Sequence, residues 1–337
     1  MKKIIIIGLA VIILVGIGIA YSMFLSGIGI DEKQYIYVDR DDNIDSVTSK
    51  LDATGADYSR TGFSILAKYL KYDGHVRIGR YEVSNDISTL QLVRDLRNHN
   101  SVPINVVVPS VRTVREMASR LGSQLMIDSA EIADYLYSDT TLQNLGLNEE
   151  TLPSLFIPNT YEIYWETSAE ALTARMKREH DAFWDGSRSD KARGIGLTPT
   201  EVHTLASIVD SETANNGEKP RVAGLYINRL KKNMLLQSDP TVIFAVGDFS
   251  IRRVLNQHLA VESPYNTYKV QGLPPGPIRI PSVAGIDAVL NYEHHDYLYM
   301  CAKEDFSGTH NFATNIQEHY ANARRYTAAL NARGIKK

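Results

Sequence analysis

A run of 27 uncharged residues, Ile4 to Ile30, follows Met1, Lys2 and Lys3 and constrains this chain more than any other feature. As a helix rising 1.5 Å per residue it reaches ~40 Å, against a hydrocarbon core of ~30 Å, so it can cross a bilayer with tilt. A cleaved secretory signal is the competing reading. Its apolar region would normally be ~7–15 residues, and the run lacks the cysteine that a lipoprotein cleavage box requires. The expectation is a retained anchor in the cell inner membrane. Two lysines before the run, with Asp31 and Glu32 after it, put the N-terminus in the cytoplasm by the positive-inside rule. Everything beyond residue 30 is then exported. No second apolar run of this length follows, so the rest is expected to form a soluble body.

The body is long enough for about two domains, the whole chain being 337 residues. With 36 basic and 39 acidic side chains it has no cationic surplus, which argues against nucleic acid as a partner. The single cysteine, Cys301, excludes an intrachain disulfide and a cysteine-based zinc site. His294, His295 and Asp296 are adjacent, and neighbours diverge by about 100° on a helix and about 180° on a strand, so no metal is expected there. Phosphate-cradling, dinucleotide-binding and serine-elbow motifs are missing, so no cofactor is expected.

Residues 35 to 125 carry an internal echo. Val38, Ile44, Val47 and Leu51 recur as Val108, Val114, Met117 and Leu121, each 70 positions on. Both sets read as a strand, a turn and a short amphipathic helix, with Asp42 or Asn43 capping the first helix and Arg112-Thr113 just before the second. Ordinary βα patterning gives the same spacing by coincidence, so the two readings stand together. Between them Ile78 to Val83 alternates as a strand, and Asp86 is the expected cap of a helix running through Leu96.

Thr198 followed by Glu201 forms a capping box, with Pro199 at the first helical position, and so fixes the start of a helix running to Thr213. At 100° per residue, Val202, Leu205, Ala206 and Val209 share one core-facing stripe. Glu212 extends that stripe, whereas Asp210 points about 160° away. A carboxyl among apolar neighbours has a raised pKa and can stay protonated near neutral pH, as a general acid must. The alternative is a helix-end glutamate that reaches into water.

Turn formers and aromatics cluster after residue 150, in the segments 155–165, 237–241 and 264–278. Gln237, Thr241, Asn266 and Tyr268 can each hydrogen-bond to, or stack on, a ligand, although asparagine and threonine serve equally as turn stabilisers. The loop from Leu273 to Ile278 holds three prolines, Pro275 among them, and its fixed φ values would keep a subsite in place. Asp239 could supply a second carboxylate. Before Pro240 it also reads as the cap of a helix ended by Gly247. Arg229, on a helix opened by Pro220, is expected in a structural ion pair.

The stretch from Leu205 to Gly247 resembles the signature of the YceG-like (MltG) family of endolytic murein transglycosylases. The similarity continues through Tyr265-Asn266-Thr267-Tyr268, Leu273-Pro274-Pro275-Gly276-Pro277-Ile278 and His310-Asn311-Phe312. Upstream, Phe156 to Tyr161 and Gly79-Arg80-Tyr81 are similar to further family segments. The resemblance implies an α+β fold in three parts: 1–30, a cytoplasmic stub and transmembrane helix; 31–125, small LysM-like βα units; and 126–337, a YceG-like catalytic domain. It implies Glu212 as the catalytic acid and then base, with Gln237, Asp239, Thr241, Tyr265, Asn266, Tyr268, Pro275 and His310 binding substrate.

The implied reaction is cleavage of the β-1,4 bond between N-acetylmuramic acid and N-acetylglucosamine in nascent glycan strands, leaving 1,6-anhydro ends. The implied partners are peptidoglycan glycan strands, the inner membrane and cell-wall synthesis proteins. Asp210 stands where the family has a first glutamate, and Pro109-Ser110-Val111 where many relatives have Glu-Gly, which weakens glycan binding by that region. A hydrolase using Glu212 with Asp239 and a silent glycan-binding scaffold remain the alternatives.

Overall fold

The computed structural model describes residues 2–334. Met1 and residues 335–337, the outer ends of the first and last expected parts, lie outside the described residues. The uncharged run turns out to serve two environments. Helix α1 (Lys2–Ala20) continues through a π-helical turn, Tyr21–Leu25. The 23 residues Lys3–Leu25 are long and apolar enough to cross a membrane, and their most apolar stretch is not buried against protein, although Met23 and Phe24 near its end are partly covered. At 1.5 Å per residue they span about 35 Å.

The last five residues of the run leave the helix. Ile28 is 1% exposed in a hydrophobic core, and Gly27 and Gly29 form bridges to Ser88 and Asp57. The apolar span is therefore shorter than the uncharged run, because its tail is core rather than lipid-facing sequence.

The chain divides into two compact units. One comprises residues up to Val106 with Gln124–Ile127 and Tyr161–Ser168; the other holds Val107–Ser123, Asp128–Thr160 and the chain from Ala169 on. The main division thus falls at Val106, earlier than residue 125.

In the first unit, β1 (Gln34–Val38) pairs antiparallel with β2 (Gly79–Val83), and α2 (Ile44–Ala53) and α3 (Arg60–Tyr69) lie between them in sequence. Asn43 caps α2 in a capping box with Ser46. The next helix, α4 (Thr89–Asn98), is capped by Ser88 and not by Asp86. The Ile87 N–H bonds back to Ser84 O, so Asp86 is a turn residue and the helix starts two positions later.

The echo at 70 residues is structural. β3 (Ile104–Val108) is followed by α5 (Val114–Gly122), α6 (Ser129–Tyr137), α7 (Asp139–Leu145), a 3-10 turn and β4 (Asn159–Ile163), and β3 pairs with β4. Val38 and Val108 each end a strand, and Ile44 and Val114 each open a helix. Val47, Leu51, Met117 and Leu121 are all fully buried. Each half is a strand, two helices and a returning strand, the second with α7 inserted.

The second unit continues with α8 (Ala169–Phe183), α9 (Ser187–Gly194), α10 (Pro199–Glu212), α11 (Lys219–Lys231), α12 (Asp239–Val246), α13 (Asn256–Leu259) and α14 (Val283–Leu290). Then come an antiparallel hairpin of β5 (Tyr299–Ala302) and β6 (His310–Ala313), and α15 (Ile316–Ala332). Helices and small separate sheets make the fold α+β. The Thr198–Glu201 capping box starts α10 with Pro199 at its first position.

The expected stripe of α10 is buried, and so is the rest of its middle: every residue from Val202 to Val209 is at most 2% exposed. A helix enclosed on all sides must satisfy its polar side chains internally. Ser207 Oγ donates to Thr204 O and accepts from Ile278 N–H, and His203 Nε2 accepts from Trp184 Nε1–H at 3.1 Å.

Burial pushes the His203 pKa down to about 3, so the folded chain keeps this ring neutral. The unfolded chain takes up a proton near pH 6.5, so stability is intact above that pH and falls progressively between pH 6.5 and about 3. Urea titrations of the full chain should show up to about 1.4 kcal/mol lost per pH unit in that window from this residue. His203→Gln should flatten that slope.

Candidate active site

Glu212 is the last residue of α10, and Thr213 leaves the helix with extended backbone. One carboxylate oxygen, Oε1, accepts from Tyr226 on α11 at 2.6 Å and from Ser238, just before α12, at 2.5 Å. Oε2 has no hydrogen-bond partner among the described residues. Glu212 forms part of the wall of a cavity of about 250 Å³, lined also by Tyr226, Arg229, Gln237, Asp239, Tyr268, Cys301 and His310.

Burial holds the Glu212 pKa above the usual carboxylate range, and the nearby Asp239 charge adds to this. The two hydroxyl donors and His310 oppose the rise. Desolvation wins, so the acid form is favoured beyond the pH at which a solvated glutamic acid would ionise.

Three structural devices shape the wall. Gln237 adopts a left-handed backbone, φ 48°, and its N–H bonds Thr267 O. Arg229 is 7% exposed and donates to Leu235 O, Leu236 O and Leu298 O, tying the turn before α12 to the chain entering β5. The expected ion pair of Arg229 is not what forms: carbonyls meet its charge, because buried ends of loops need donors more than α11 needs a carboxylate. Glu218, the N-cap position of α11, accepts both the backbone N–H and Nδ1–H of His310 at 2.7 and 2.8 Å. That fixes the ring and leaves Nε2 without a protein partner among the described residues.

The structure brings together Glu212, Gln237, Asp239, Tyr268 and His310 of the residues expected from sequence. Asp239 is not the cap of α12. Ser238 holds that position and Asp239 is the first helical residue, with Gly247 closing the helix in a left-handed turn. Its carboxylate accepts instead from Tyr268 Oη at 2.6 Å.

Thr241, Tyr265, Asn266 and Pro275 do not line this cavity. Thr241 is fully buried, and its hydroxyl serves Ser238 O and Thr267. Asn266, also fully buried, donates to Leu259 O and Val261 O and accepts from Tyr268 N–H, so it staples the loop that presents Tyr268. Tyr265 packs on Phe244, ring centroids 4.7 Å apart, and burial pushes its hydroxyl up to about 12. Pro275 is exposed, while its neighbour Gly276 lies so close to Glu150 O that a Cβ would sit 1.9 Å away. His295 is likewise structural: Nδ1 accepts from Tyr297 N–H and Nε2 meets Arg221 O.

Sequence reasoning missed Tyr226, Ser238 and Glu218. Tyr226 had a signal, as a tyrosine on the helix that follows the glutamate; the other two had none, since each acts across a chain fold. Removing a donor from Oε1 removes support for the ionised form, so Tyr226→Phe or Ser238→Ala should move the Glu212 pKa further up. Carboxyl carbon NMR titration should read a rise of about one pH unit or more in each variant, with a larger rise in the pair.

The model of the YceG-like family matches residues 36–325. A Bacillus subtilis protein named endolytic murein transglycosylase is 30% identical over 220 residues, 64% of this chain and 59% of the relative. A Streptococcus pneumoniae serotype 2 protein of the same name is 27% identical over 329 residues, 88% of this chain and 59% of the relative. The chain thus spans about three fifths of the length of these curated relatives. A crystal structure of a yceG-like protein from Listeria monocytogenes superposes with a TM-score of 0.58 at 26% identity, covering 87% of this chain and 99% of that one. With nearly all of its body matched, the chain belongs to the YceG-like family.

Proposed function

We propose that this chain is an endolytic murein transglycosylase that cuts the β-1,4 bond between N-acetylmuramic acid and N-acetylglucosamine in nascent peptidoglycan strands. One observation carries the reading. Glu212 presents a carboxyl with one oxygen held by two hydroxyls and the other bare on a cavity wall, in surroundings that favour the protonated form. Oε2 carries the proton. It gives that proton to the glycosidic oxygen as the bond to the muramoyl anomeric carbon breaks. The resulting carboxylate, still held through Oε1, then takes the proton of the muramoyl 6-hydroxyl as that oxygen closes on the same carbon. The 1,6-anhydro ring forms, and the glutamic acid is restored without consuming water.

Asp239 contributes a negative charge beside the cationic transition state and helps keep Glu212 protonated. Gln237, Tyr268 and His310 offer donors and acceptors to sugar hydroxyls. Thr241, Tyr265, Asn266 and Pro275 act at one remove, through the loops they hold. We place catalysis in residues 126–337 and assign the LysM-like region, 31–125, to the approach to the membrane.

Lys3–Leu25 crosses the inner membrane with the N-terminus in the cytoplasm, as the flanking charges favour. The tether confines the site to glycan emerging near the bilayer and raises its effective concentration toward cell-wall synthesis proteins working there. Replacing the span by a cleavable signal should release cutting from that confinement.

A hydrolase remains the second reading, because Asp239 lines the same cavity. Products separate the two. Purified glycan strands digested with the full chain in detergent should yield anhydro ends, each lighter by one water than a hydrolysed end in the mass spectrum. Glu212→Gln should cut about 10²–10⁴-fold more slowly, and Asp239→Asn should still give anhydro ends. Reducing ends would favour the hydrolase, and undiminished cutting by Glu212→Gln would remove the assigned acid.

A further inference from the structure

The first unit holds a second cavity, of about 550 Å³, which the glutamate chemistry does not use. Its lining carries three permanent cations, Lys71, Arg77 and Arg97, together with His75 and His99, and no carboxylate. Two helices end on it. Leu70 caps α3, with Lys71 following at φ 57°, and His99 closes α4 at φ 59°. Cations do gather at helix C-termini, and Arg97 accordingly donates to Leu70 O at 2.8 Å. Each terminus offers only about half a negative charge, however, so two of them balance about one cation of the three. Lys71 and Arg77 have no carboxylate partner among the described residues, while Glu166 meets His99 alone of this group. The surplus is positive and faces solvent.

The position of α3 selects the anion. Gly62 lies so close to the Met23 carbonyl that a Cβ there would stand 2.4 Å from it, which places the start of α3 at the end of the apolar helix. Ile65 and Tyr69 follow Gly62 on the same face at i+3 and i+7, and they are 48% and 81% exposed. Lys71 stands nine positions beyond Gly62, at most about 14 Å along a helical path. That distance is within reach of a headgroup layer roughly 5–7 Å deep together with a screening length of ~8 Å. Tyrosine beside lysine suits this interfacial zone.

We propose that this pocket docks the phosphate of an anionic phospholipid headgroup in the membrane that Lys3–Leu25 crosses, a reading that rests on that helix being a span. Each cation near such a surface is worth about fivefold in affinity, so the two left in surplus favour an anionic over a zwitterionic surface roughly 25-fold.

The test uses the full chain in nanodiscs of phosphatidylcholine alone or mixed with phosphatidylglycerol, with amide hydrogen exchange read over residues 69–77 and 97–99. Exchange should slow at least about fivefold in the anionic discs, and Lys71→Gln with Arg77→Gln should abolish the difference. Equal exchange in both discs would overturn the proposal, as would a double variant protected like the wild type. Protection by inorganic diphosphate in detergent without protection in anionic discs would also overturn it, in favour of a soluble phosphate ligand. Alkaline extraction of the chain from vesicles reads the anchor separately: a chain that comes out loses span and pocket assignment together, leaving the Glu212 chemistry untouched.

Discussion

The candidate chemistry depends on desolvating one carboxyl at the end of a wholly buried helix. Glu212 can occupy that place only because α10 is enclosed along its middle, so its final turn emerges from the core directly into a cavity. Burial alone would leave a floppy acid with both oxygens in search of donors. Tyr226 and Ser238 resolve this by spending their hydroxyls on a single oxygen. Two bonds to one oxygen stabilise the ionised state after proton transfer, while the desolvated surroundings keep the protonated state accessible before it. A group asked to act as acid and then as base needs both forms within reach.

The helix wheel made part of this legible. The capping box fixed where α10 starts, the apolar period fixed its core face, and counting forward put Glu212 on that face. The wheel could not show that the opposite side is also buried, because His203, Thr204 and Ser207 look polar until Trp184, Thr200 O and Ile278 supply their partners. The same blindness explains the substrate-binding candidates that lie away from the cavity. Thr241 and Asn266 carry the atoms a sugar would use, yet the fold spends those atoms on Ser238, Thr267 and loop carbonyls. Composition names a hydrogen-bonding group, whereas only tertiary structure says whether it is already satisfied.

The N-terminal run teaches a related lesson. Charge counting treats Ile4 to Ile30 as one segment, but the helix ends at Leu25 and Ile28 is packed into the first unit beside Phe63 and Leu92. An uncharged residue suits lipid and protein interior alike, so hydropathy cannot see the boundary. The glycines can: Gly27 lies so close to Asn85 O that a Cβ would stand 2.6 Å from it, and at Gly29 a Cβ would crowd the Asp57 side chain at 3.1 Å. By contrast, the echo between residues 38–51 and 108–121 rested on four apolar positions and marks a strand followed by helices in each half; three of the four are buried in both halves, while Ile44 is only half-buried where Val114 is buried.

Asp210 shows why the departure from the family's usual pair of glutamates leaves the proposed acid intact. It faces away from the cavity that Glu212 lines, with its side chain 4% exposed and paired to Lys219 at 2.8 Å. It also accepts from Ser282 N–H and Oγ at the start of α14. Gly285 is packed so tightly there that a Cβ would stand 2.5 Å from Asp210 Oδ1, leaving little room for a longer acid in the same pose. The carboxylate thereby ties the end of α10 to the starts of α11 and α14. Lys219 adjoins Glu218, which holds His310, so this ion pair sets the spacing between the helix that ends in Glu212 and the residue that orients the imidazole across the cavity. Removing one partner would strand a buried charge at a cost of about 3–5 kcal/mol. The aspartate therefore acts on the site through geometry and not through a proton.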